Sequence, residues 1–125
     1  MRVMTDRKPD TIAVIDDDEA VRQSMAFLLG VVNYRVETFT SAIEFLKEPS
    51  NRFLCLIVDQ HMPDMTGLEL VRHIRSAPRK VPVMLLSGGL TDADRRRAAA
   101  LKVERVVEKP ADEGKILEFV ASVGA

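Results

Sequence analysis

Short apolar runs recur along this chain, and four of them stop at a residue able to handle phosphate or a hard cation. Ile12–Ile15 leads into Asp16-Asp17, Leu54–Val58 into Asp59, Val83–Leu86 into Ser87, and Val106-Val107 into Glu108-Lys109-Pro110. Only the run Val36–Phe39 ends without such a group. Runs this short, rich in branched aliphatics, are the pattern of strands buried on both faces of a parallel sheet. Open α/β sheets bind ligands at the carboxyl ends of their strands. The pattern would therefore collect acids, a hydroxyl and an amine in one crevice.

The intervening segments have helical spacing. Val21, Met25, Leu28 and Val32 recur after the first run, with Asn33 as a C-terminal stop. Ser41 and Glu44 stand at capping-box spacing before a short helix whose apolar side reads as Ile43, Phe45 and Leu46. Pro49-Ser50-Asn51 signals a turn. Thr66 and Glu69 form a second capping box, Leu68, Val71 and Ile74 line one face, and Ala77-Pro78 closes that helix. Thr91 with Asp94 opens a helix to about Leu101, and Ile116, Leu117, Val120 and Val123 mark a last one. Strand alternating with helix five times predicts an α/β fold, a parallel sheet covered on both faces and joined by right-handed crossovers. The 125 residues suffice for one core and one domain.

A net charge of −1 favours neither nucleic acid nor an anionic membrane as the main partner. Cys55 is the single cysteine, which excludes an internal disulfide and points to a reducing, cytoplasmic setting. It reads as a small buried apolar residue. The first ten residues lack the apolar stretch of a signal peptide, and no run is long enough to span a bilayer. Arg95-Arg96-Arg97, at about 100° per residue, spread around their helix and read as a solvated surface, as does His73. The triplet Asp16-Asp17-Asp18 alone would suit a solvated turn or a helix cap. It is not a calcium loop, because the sixth and twelfth positions are Val21 and Phe27 where glycine and glutamate are needed.

Taken together, Val14-Ile15-Asp16-Asp17-Asp18, Leu56-Ile57-Val58-Asp59 with Met62-Pro63-Asp64-Met65-Thr66-Gly67, Leu86-Ser87-Gly88-Gly89 and Val107-Glu108-Lys109-Pro110 carry a family pattern. On them the chain closely resembles the receiver domain of two-component response regulators, over about residues 10–123. Asp16–Leu29 and Phe39–Leu46 look most like receivers that precede DNA-binding output domains. The resemblance implies a flavodoxin-like, doubly wound sheet of order 2-1-3-4-5 with five helices. It implies that Asp59 is the phosphoacceptor, taking a phosphoryl group from the histidine of a kinase or phosphotransfer protein. Mg²⁺ would be held by Asp17, Asp59 and the backbone carbonyl of His61, with Asp16 acting through a bound water. Ser87 and Lys109 would contact the phosphoryl group, and the Lys109–Pro110 bond would be cis. The chain is expected to be a single receiver domain over 1–125 with no output domain, a monomer or weak dimer acting on a separate protein target. Arg22 and Gln23 are candidates for kinase contact.

Physical chemistry supports these assignments independently. Three carboxylates in one crevice repel one another, which favours protonation and weakens a nucleophile. A hard divalent cation relieves that penalty, and magnesium suits carboxylate, carbonyl, phosphate and water oxygens. Charge gathering on the equatorial phosphoryl oxygens calls for the Lys109 ammonium and the Ser87 hydroxyl. His61, a lone imidazole, reads as a solvent-facing loop residue offering only its carbonyl.

Two positions depart from the family pattern. Val106 stands where receivers usually carry Tyr or Phe, so no ring can swing inward when Ser87 moves, and switching falls to the loop Ser87–Thr91 and the helix after it. Lys102 replaces a frequent glycine, which requires strain or a different helix end. Other readings are a receiver fragment of a longer DNA-binding regulator and a phosphate-independent module of the same fold. A haloacid-dehalogenase-type phosphatase requires Asp-x-Asp-x-Thr/Val, whereas Asp16-Asp17-Asp18-Glu19 is followed by Ala20.

Overall fold

The computed structural model describes residues 10–48, 52–77 and 80–124. Among them the chain order is β1 (Thr11–Ile15), α1 (Glu19–Val31), β2 (Arg35–Phe39), α2 (Ala42–Leu46), β3 (Phe53–Asp59), α3 (Gly67–Ile74), β4 (Val83–Ser87), α4 (Asp92–Ala100), β5 (Arg105–Glu108) and α5 (Glu113–Gly124). The five strands form one parallel sheet in the order β2-β1-β3-β4-β5. The turn expected at Pro49-Ser50-Asn51 and the stop at Pro78 lie outside the described residues.

Side chains alternate across a strand with period two, and the strand residues divide accordingly. Ala13, Ile15, Leu56, Val58, Val83 and Leu85 face one cluster with α2 and α3, which Phe39, Phe45 and Phe53 complete. Ile12, Val14, Cys55, Ile57, Met84 and Leu86 face the other, against Met25 and Leu29 of α1 and Ile116, Phe119 and Val120 of α5. Both faces of β3 are thereby closed, which explains its uninterrupted hydrophobic sequence. No helix of the described residues is long and apolar enough to cross a membrane.

The helix faces differ in part from those read from spacing. In α1, Met25 and Leu29 are buried, while Val32 is the C-cap and 41% exposed. Asn33 ends the helix in the left-handed region, φ 72°, as its position suggested. In α2 the buried residues are Ala42 and Phe45, whereas Ile43 and Leu46 point outward. A helix this short shows the sheet one narrow stripe, too little for all its apolar residues. Its cap is also altered: the Glu44 N–H donates to Ser41 Oγ, but the Glu44 carboxylate accepts from Thr40 N rather than from Ser41. The boxes at Thr66/Glu69 and Thr91/Asp94 close reciprocally.

Candidate functional site

Register brings the polar strand ends into one row. Ile15 pairs with Phe39 and with Val58, Asp59 with Leu86, and Ser87 with Glu108. Backbone bonds continue each ladder one residue further: Asp16 N–H donates to Phe39 O, Gln60 N–H to Leu86 O, and Lys109 N–H to Ser87 O. Asp16, Asp59, Ser87 and Lys109 therefore share the carboxyl edge of the sheet.

The three adjacent aspartates have three different environments. Asp16 is buried, and its Oδ1 accepts from the Asp18 N–H at 2.9 Å. Asp17 is exposed at the mouth of the crevice. Asp18 caps α1, accepting from Ala20 N and Val21 N. Carboxylate oxygens of Asp16, Asp17 and Asp59 lie within 4.8 Å of one another.

Lys109 reaches across 93 positions to donate to Asp16 Oδ2 at 3.4 Å, and its Nζ stands 3.2 Å from Asp59 Oδ1. Burial raises the Asp16 carboxyl above its usual range and the charge of Asp59 adds to this, against the Asp18 N–H and Lys109. For Lys109, burial pulls the ammonium down, but the hydrogen bond to Asp59 and the charges of both acids outweigh it and leave its pKa raised. A proton or a cation is therefore favoured in this crevice.

All-oxygen donors at this spacing fit a hard cation. Asp16, Asp17 and Asp59 are the residues that could hold one. His61 is an exposed loop residue, as its sequence reading expected, but its imidazole has a partner as well: Nε2 lies 3.1 Å from Ser87 Oγ. Ser87 is fully buried, and its hydroxyl also accepts from the Gly89 N–H at 3.1 Å. The Lys109–Pro110 bond is cis. Val106 is half-buried beside Leu85 and, like Leu90, Leu101 and Val103, packs against the core on the α2–α3 side of the sheet.

Several supporting residues escaped sequence reasoning. Gln60 is buried, and its Oε1 accepts from the Leu68 N–H at 2.8 Å, pinning the start of α3 beside Asp59. Gly67 lies so close that a Cβ there would sit 2.6 Å from Asp59 O. The Pro63–Gly67 segment hinted at the second, but nothing local signals the first. Arg22 donates to Asp16 O at 2.8 Å and Gln23 to Glu19 Oε2, so both candidate kinase contacts already have partners within the chain. Arg95 pairs with Glu108 and Arg97 with Asp94, which balances part of the arginine run.

Known proteins agree with this geometry. The family model of the response regulator receiver domain matches residues 12–121. The transcriptional regulatory protein FixJ of Azorhizobium caulinodans is 36% identical over 90% of this chain and 54% of its own length. The response regulator protein TodT of Pseudomonas putida is 35% identical over 70% of this chain and 39% of its own. The chain thus spans between about two fifths and about half of these relatives. Among solved structures, a receiver protein from Pseudomonas putida superposes with a TM-score of 0.84 at 27% identity, covering 93% of this chain and 98% of that one. The Vibrio cholerae chemotaxis protein CheY4 gives 0.82 at 25%, covering 92% and 98%. With its strand order, its matched residues and these relatives in agreement, the chain belongs to the response regulator receiver domain family of two-component signalling.

Proposed function

We propose that this chain is a Mg²⁺-dependent phosphoaspartate switch whose phosphoacceptor is Asp59. The observation that carries the reading is the Lys109 ammonium, held between Asp16 and Asp59 from the far end of the sequence. An amine drawn to a buried carboxylate pair is placed to stabilise charge arriving on a phosphoryl group there. In the transfer, a carboxylate oxygen of Asp59 forms the O–P bond as the P–N bond to the donor histidine breaks. Lys109 and the Ser87 hydroxyl face the phosphoryl oxygens. Asp17, Asp59 and the His61 carbonyl would hold magnesium, with Asp16 orienting a water. When bound, the metal supplies positive charge that offsets the crowded carboxylates. Hydrolysis of the acyl phosphate by water then resets the switch, so the chain acts on itself and is a signalling component rather than an enzyme with a separate substrate.

The donor is a histidine kinase or phosphotransfer protein in the cytoplasm, and the output is a changed contact with a protein target. Likeness to FixJ, a transcriptional regulatory protein, favours a second reading in which this receiver serves a DNA-binding regulator. DNA contact would then belong to another part of such a regulator. The test is incubation with Mg²⁺ and a small acyl phosphate, followed by intact-mass measurement. A phosphate adduct is expected, dependent on metal and lost in Asp59→Asn. An adduct that persists in that variant overturns the assignment.

A further inference from the structure

Ser87 Oγ is a bridge between two loops. Gly89, on the β4–α4 loop, donates its N–H to this oxygen, while His61 Nε2 approaches it at 3.1 Å from the β3–α3 loop. A backbone N–H can only donate. Among the described residues, the imidazole nitrogen is therefore the acceptor within reach of the hydroxyl proton. A buried hydroxyl with no acceptor carries the full cost of its lost hydration, which selects the His61 tautomer protonated at Nδ1 and bare at Nε2. Ser87 has one proton to give, and a phosphoryl oxygen on Asp59 needs the same one.

Resting on the phosphoacceptor reading above, we propose that His61 is the resting-state holder of the switch hydroxyl, surrendering the Ser87 proton when Asp59 becomes phosphorylated. The exchange frees the β4–α4 loop from the β3–α3 loop. His61 is a positioning residue in this scheme, acting through Ser87. The scheme suits a chain whose neighbouring packing is aliphatic: Val106, Leu90, Leu101 and Val103 offer no ring to swing. It also accounts for an exposed histidine turned against a hydroxyl that is itself fully buried. In α4 Ala98 is the one buried residue, so little packing opposes a shift of that helix, while Leu90 keeps the loop before it against the core.

The experiment is ¹⁵N spectroscopy of the imidazole rings in the full chain at about pH 8, above the ordinary histidine range near about 6.5. His73, exposed on α3, is the internal reference. At rest the His61 signal should show a bare Nε2. Beryllium fluoride with Mg²⁺ should abolish that signature and leave His73 unmoved. Without any phosphate analogue, His61→Ala should move the Gly88, Gly89 and Leu90 amide signals part of the way to their beryllofluoride positions. His61→Gln, whose side-chain oxygen also accepts a proton, should restore them. The rate of adduct formation from acetyl phosphate should rise about 2–10-fold in His61→Ala, the worth of one neutral hydrogen bond. A protonated Nε2 at rest, unmoved amides in His61→Ala, or no restoration by His61→Gln would each overturn the proposal. An adduct on Asp59 that leaves the His61 ring unchanged refutes this inference alone. Absence of any adduct on the wild-type chain removes the phosphoacceptor reading with it.

Discussion

Lys102 holds φ at 59°, in the left-handed region that costs a side chain about 1–2 kcal/mol and glycine almost nothing. Of the two possibilities raised by its place in the sequence, strain is therefore the one realised. Glycine loses more chain entropy on folding, so the net gain from Lys102→Gly is smaller than the strain removed. We expect Lys102→Gly to stabilise the protein by about 0.5–1 kcal/mol in urea unfolding, with an unchanged m-value. Gly67 poses the opposite problem, since its backbone is ordinary and what it needs is space. An added Cβ would meet Asp59 O at 2.6 Å and Leu85 Cδ1 at 2.7 Å. Backbone cannot yield as a flexible side chain does, so Gly67→Ala should cost about 1–3 kcal/mol. It should also slow adduct formation on Asp59; an unperturbed variant would show that the α3 start has slack. Both residues show how far identity can be read from a sequence. The oddity of a lysine at 102 was visible there, whereas the contact that requires glycine at 67 exists only after α3 docks.

At the scale of elements, the edge strand β2 is held by a cluster that no local spacing announces. Arg52 donates through Nη1 and Nη2 to both carboxylate oxygens of Glu37 on β2, and through Nη2 to Glu48 just beyond α2. Its guanidinium also lies 4.3 Å from the Phe53 ring centroid at the start of β3. The hydrogen bond from Arg52 holds the Glu37 carboxyl below its usual value of 4.5. A carboxylate with a lowered pKa contributes stability above the unfolded value and loses it as pH falls through the folded one. Because these side chains are more than a third exposed, solvent screening reduces the yield. Arg52→Ala should therefore cost about 1 kcal/mol at neutral pH, and the difference from wild type should shrink below about pH 4.5. Arg52→Lys should not restore it, because an ammonium cannot form the paired contact. Denaturant midpoints measured from neutral to acid pH check both statements; a deficit independent of pH would point to lost packing on Phe53 instead.

For the whole molecule, the proposed function has the crowded acids at one sheet edge bind Mg²⁺ in the folded state. If they do, linkage requires Mg²⁺ to stabilise the fold, by about 2.7 kcal/mol at about 100 times its dissociation constant. Thermal unfolding with increasing Mg²⁺ should show a rising Tm, and Asp17→Asn should flatten the response. A wild-type Tm indifferent to Mg²⁺ would remove the cation from the proposed function. The parallel sheet, the two helix layers and the strand-end identities of Asp16, Asp59, Ser87 and Lys109 were legible in the sequence, because buried parallel strands impose a local signature and crossovers are right-handed, whereas the strand order followed from the resemblance to receivers. The directions of side chains were less so. Spacing marked Ile43, Phe45, Leu46 and Val32 as apolar helix positions, but of these the core takes Phe45 alone and fills the rest of its space with Ala42 and Leu29. His61 was visible as a loop histidine, and only docking of the β3–α3 loop over β4 put its ring on Ser87. By itself the sequence determined which groups sit at each strand end, since hydrophobic pattern is a property of neighbours in the chain. Tertiary structure alone decided which of those groups touch, because a contact such as Lys109 to Asp16, 93 positions apart, depends on how separate elements pack.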